Sequence, residues 1–151
     1  MENSISTKTI AEYFLTKEAM TQKKIQKLVY YAYSWYIVKY NDSADNIQNV
    51  LVAEKPQAWV HGPVFPSLYE EYKQYKRNNV PKINGSILEK TELSEFLDQI
   101  WDVFGKFDGD ELEFMTHNEK PWINSRNGIS AISPSNEEID LKDIYNYYSY
   151  I

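Results

Sequence analysis

No cysteine occurs among the 151 residues of this chain. Disulfide staples and thiolate zinc sites are therefore excluded, and nothing in the composition points to secretion. The chain also lacks an apolar leader stretch at its start, and no run approaches the roughly 20 apolar residues that cross a bilayer. The expectation is a soluble, cytoplasmic protein without membrane contact. Glycine is scarce, at five residues, and none of them builds a phosphate-cradling loop of the P-loop or dinucleotide type. There is no Gly-x-Ser-x-Gly elbow. Histidine is scarcer still, at two. His117-Asn118-Glu119 matches the opening of the nucleobase-deaminase pattern, but that chemistry needs two later cysteines on zinc. Positive charge is in deficit: 16 Lys and Arg against 22 Asp and Glu leave a net charge of −6. Such a chain is a poor non-specific partner for nucleic acid, because phosphate neutralisation supplies most of that affinity.

What the chain has in abundance is tyrosine, with thirteen, a residue enriched at protein interfaces for its apolar ring and wet tip. It also has helical periodicity. Ser6 or Ser4 can cap a first helix through Leu15, and Thr21 a second that reaches about Tyr40. Ile25, Leu28, Val29, Ala32 and Tyr36 recur at helical spacing, uninterrupted by glycine or proline. Lys17, Lys23, Lys24 and Lys27, then Lys73, Lys76, Arg77 and Lys82, read as solvated faces. Val50 to Val60 is broken by Pro56 and reads as extended chain or a short hairpin. Pro66 suits the first turn of a third helix. Thr91 can cap a fourth that Gly105 stops, and Asp108 with Glu111 forms a capping box for a fifth, ending around His117. Pro121 opens a short sixth helix. Asp140 with Asp143 resembles another capping box, with Ile139 and Ile144 at the staple positions of the last helix. The fold class expected is mainly α: a single compact helical domain over residues 1–151, of about six or seven helices, with at most one short β-hairpin.

Two proline-bounded corners carry the unusual residues. The first is Ala58-Trp59-Val60-His61-Gly62-Pro63-Val64-Phe65-Pro66, where two prolines fix φ and Gly62 is free to take values other residues resist. The second is Met115-Thr116-His117-Asn118-Glu119-Lys120-Pro121-Trp122, followed by Arg126. Each holds one of the two histidines, and the two corners are expected to meet in space. The candidate binding residues are Trp59, His61, Pro63, Val64, Thr116, His117, Glu119, Trp122 and Arg126. A metal triad of His61, His117 and Glu119 lacks the usual i, i+4 histidine pair, so no metal and no cofactor are expected. A general-base role for either histidine, oriented by Glu119, stands as the enzymatic alternative. The plainer reading is a half-buried histidine satisfied by backbone carbonyls or by Glu119, with Arg126 pairing a carboxylate such as Glu119.

The segments Gln22–Trp35, Ala58–Val64 with Leu68-Tyr69, and Leu112–Trp122 with Arg126 resemble, in order, the signature segments of the Panacea domain family. That family is also described as SocA-like antitoxins and phage-associated GepA-like proteins. The closing Ile139–Tyr148 run is similar to its C-terminal helix. The resemblance implies an antitoxin that neutralises a cognate toxin protein by direct contact and is not an enzyme. It also implies an alternative, an adaptor that delivers the toxin to a cytoplasmic protease. Many members add a helix-turn-helix module; this chain has no room for one, so no direct nucleic-acid binding is expected.

Overall fold

The computed structural model describes residues 5–150. Seven helices run in the order α1 (Thr7–Leu15), α2 (Gln22–Tyr40), α3 (Pro66–Tyr72), α4 (Glu92–Phe104), α5 (Gly109–His117), α6 (Lys120–Ser125) and α7 (Leu141–Tyr148). Two small antiparallel ladders accompany them. β2 (Gln57–Trp59) turns back on β3 (Gly62–Val64), the expected hairpin. A second ladder, β1 (Met20–Thr21) on β4 (Asn79–Val80), joins distant parts of the chain and is too short for any sequence pattern to announce.

The helix ends follow local chemistry. Ser6 accepts from the Thr9 amide and Thr21 from the Lys24 amide, each satisfying one orphan donor of a helix start. Ser4, the other candidate cap, lies outside the described residues. Asp108 and Glu111 exchange side-chain and backbone bonds as a capping box. Pro66 and Pro121 stand in the first turns of α3 and α6, where a missing N–H costs nothing. The last helix departs from expectation. Asp140 caps it through the Lys142 amide, but Asp143 does not return a bond to the cap. Ile139 and Ile144 are both buried, as a staple requires.

α2 is the axis of the molecule. Helices α1, α4, α5 and α7 and strand β3 all pack on it. Every residue from Lys24 to Ser34 is buried in consequence. That corrects the reading of Lys24 and Lys27 as solvated. Where partners lie on every side, between residues 24 and 34, a lysine has no wet face to point to, while Lys23 and Lys39 nearer the ends of α2 keep one. Lys24 reaches the Gly105 carbonyl at 2.6 Å and Glu18 at 3.2 Å. Lys27 reaches the Pro63 carbonyl at 3.1 Å. Full burial of each Ile, Leu or Phe side chain around this axis contributes about 1.5–3 kcal/mol. Rings add directional contacts, notably Tyr31 stacked on Phe104 with centroids 4.2 Å apart.

Candidate functional site

The two corners meet. His61 Nδ1 lies 3.0 Å from Glu113 Oε2, and His117 Nε2 lies 3.8 Å from the same oxygen. The carboxylate between the imidazoles is thus Glu113, not Glu119. Lys23 completes the cluster, 2.7 Å from Glu113 Oε1 and 2.8 Å from Asp110. Burial pushes the Glu113 carboxyl up, but the hydrogen bonds from Lys23 and His61 outweigh it and leave the group below its ordinary value. Burial holds the His117 imidazole below its usual value against the opposing pull of Glu113. The His117 ring is stacked on Trp122 with centroids 4.0 Å apart.

The second corner grips the backbone of the first. Trp122 Nε1 donates to the Trp59 carbonyl at 2.8 Å. Arg126 Nη1 donates to the Ala58 carbonyl at 3.0 Å. The His117 ring is hydrogen-bonded to the Val60 backbone. α2 takes hold from below. The Gln26 amide accepts from the Phe65 N–H at 2.8 Å and donates to the Phe65 carbonyl at 3.1 Å, as a neighbouring strand would. Lys27 holds the Pro63 carbonyl. Gly62 sits at φ +105°, and a Cβ there would come 2.8 Å from Lys27 Cε and 2.9 Å from Thr116 Oγ1. Glycine at this position serves both the turn and the close approach. A corner that would otherwise expose a row of unpaired carbonyls is held by side chains almost residue by residue.

These contacts sort the sequence candidates. Thr116, Trp122 and Arg126 are buried, as are Pro63 and Val64. Trp59 is half-buried; its indole donates to Gln57 Oε1 at 2.8 Å, and its ring lies 5.1 Å from that of Tyr69. His61 points outward, with its side chain 71% accessible. Of the two partners expected for a half-buried histidine, His117 takes the backbone, at Val60, and not Glu119; His61 is exposed and takes Glu113.

Arg126 does not pair with Glu119. Its guanidinium serves the carbonyls of Ala58, Ser130 and Ser133. Glu119 is turned into a cage of phenols, accepting from Tyr148 at 2.7 Å and from Tyr31 at 2.9 Å. Desolvation raises the Glu119 carboxyl, partly offset by those two bonds. The three tyrosines around it, Tyr30, Tyr31 and Tyr148, are raised chiefly by burial. The pair of histidines with Glu119 therefore does not assemble. Among the described residues, no cluster of three or more His, Asp or Glu side chains is placed to hold a metal ion.

Sequence reasoning missed Glu113 and Lys27. Glu113 stands four residues before His117 on α5, the spacing that puts two side chains on one helix face, and that was the available signal. Lys27 gave none beyond its place inside an apolar periodicity.

No curated protein and no solved structure matches this chain. The model of the SocA-like antitoxin family, Panacea domain, matches residues 25–123. The match spans both corners from α2 to Ile123, with Arg126 and α7 beyond its end, and it takes in well over half of the chain: the protein belongs to the SocA-like antitoxin family, Panacea domain.

Proposed function

We propose that the protein is the antitoxin of a toxin–antitoxin pair, neutralising its toxin in the cytoplasm by direct protein–protein contact. The observation that carries this reading is the division of labour at the corners. His117, Trp122, Arg126, Gln26 and Lys27 are occupied in fixing backbone, and the side chains left outward on the fixed ledge are Trp59, His61 and Tyr69. A surface already held in shape loses little conformational entropy on association. Aromatic rings on such a surface are the usual anchors of a protein interface. Family membership supplies the toxin as partner class.

The test is co-expression with the toxin encoded beside it. Wild type should restore growth, and the double substitution W59A/H61A should fail to. His61→Ala alone should weaken toxin binding about tenfold while shifting folding stability by less than about 1 kcal/mol, since an exposed His–Glu pair contributes little. Full rescue by the double variant would contradict the assignment of the ledge. A shortened toxin half-life in the presence of the chain would favour the protease adaptor over occlusion.

A further inference from the structure

Beside the ledge lies a cleft of about 890 Å³, walled by the start of α2, the β2–β3 corner, the segment before β4 and the start of α5. Its size falls within the range that binding sites occupy. Its lining carries five Lys and Arg side chains against three carboxylates. Glu18 holds Lys24 and Asp110 holds Lys23, while Asp108 caps α5 and has no cationic partner. Three cations remain. Lys27 is buried, with its ammonium bonded only to the Pro63 carbonyl. Lys76 and Arg77 are exposed and make no side-chain hydrogen bond or ion pair among the described residues; Arg77 acts on Asp110 only at a distance. An acidic chain therefore presents a locally basic cleft with Trp59, Val64 and Tyr69 along one wall.

Lys76 sits at φ 52°, ψ −116°, a conformation ordinarily left to glycine. It is held there by Gln22 Nε2, which donates to its carbonyl at 2.9 Å, and by the β1–β4 ladder just beyond. Such a conformation costs roughly 1–3 kcal/mol and persists only because its surroundings hold it.

We propose that this cleft receives an acidic segment of the toxin carrying an apolar or aromatic side chain. Its carboxylates meet Lys76 and Arg77 at the mouth, and its apolar group packs on Trp59 and Tyr69. The inference rests on the antitoxin reading and specifies the chemistry of the partner. Opposite charge across an interface sets encounter rate and register as well as affinity.

The experiment is a binding titration of the purified toxin encoded beside the chain, at low and at high salt. The variants are K76E/R77E, K76G/R77A and, as a control on α7, K142E. Wild type and K142E should bind alike, with affinity falling as salt rises. K76E/R77E should lose at least about a hundredfold in affinity. K76G/R77A should lose affinity while melting no lower than wild type, because glycine relieves the turn; that separates lost contact from lost fold. Unchanged binding by K76E/R77E would overturn the cleft assignment and leave the antitoxin reading standing. A wild-type chain that does not bind the toxin would overturn both. Inorganic pyrophosphate titrated alone provides the remaining arm. Tight binding that the charge reversal abolishes, with toxin affinity unaffected, would make this a small-anion site and refute the acidic-segment assignment.

Discussion

Replacing Arg126 with alanine is expected to destabilise the protein by about 2–4 kcal/mol, through the loss of charge-assisted hydrogen bonds to backbone and of buried packing. Arg126 is only 3% exposed. Its guanidinium binds the Ala58 carbonyl in the hairpin and the Ser130 and Ser133 carbonyls in the following loop, and it sits over the Trp122 ring at 5.0 Å. Truncation leaves the buried Ala58 carbonyl without its donor, at about 1–3 kcal/mol, and frees the loop carbonyls of Ser130 and Ser133 to water, Ser130 keeping the Ser133 N–H. For a chain of this length the melting temperature should drop by roughly 10 °C. Lysine should rescue little, since one ammonium cannot reproduce a planar fork that reaches separate carbonyls. Urea unfolding of R126A and R126K checks this. A loss below about 1 kcal/mol in R126A would mean that the first corner holds its shape without the clamp.

Lys27→Met should act in the opposite direction at pH 7. Burial lowers the Lys27 amine from 10.5 to about 7, with Glu113 opposing the shift. Well below pH 7 the amine is protonated in folded and unfolded chains alike, and its desolvation counts in full against the fold. Between about 7 and 10.5 the unfolded chain keeps a proton that the folded chain has released, so stability rises with pH across that window. The full rise is on the order of 5 kcal/mol. Above pH 10 the buried tyrosines reverse the slope: their raised values mean that the folded chain retains protons the unfolded chain loses. Wild type should thus be most stable near pH 10. The methionine variant should lose the rise between 7 and 10. At pH 7 it should gain about 2–4 kcal/mol, after allowing about 1–3 kcal/mol for the orphaned Pro63 carbonyl. Denaturant midpoints collected across pH measure both effects. A variant less stable than wild type at pH 7, or one with an unchanged slope, would show the amine to be hydrated.

The sequence was most legible where structure is decided locally. Thr21 before the α2 periodicity, Asp108 with Glu111, Pro66, Pro121 and the Ile139–Ile144 staple each act within a turn or two of chain, and each marks a real boundary. The meeting of the corners was legible too, because both histidines sit in proline-bounded bends. What stayed hidden depends on partners far along the chain. Lys24 and Lys27 look solvated until α5 and β3 are folded against α2. Arg126 and Glu119 look like an ion pair until backbone carbonyls take the first and tyrosines from α2 and α7 the second. The periodicity of α2 identifies one apolar stripe, while burial on all sides is a property of the assembled molecule.

The claim on which the account rests is that the first corner is the gripping surface and the second only supports it. The two histidines provide the reporter. His61 stands outward on the ledge, whereas His117 lies against Trp122, so the imidazole region of the NMR spectrum holds one signal for each part. Addition of the toxin is predicted to shift or broaden the His61 signal and leave that of His117 in place. Saturating toxin that binds with the His61 signal unmoved would contradict the account.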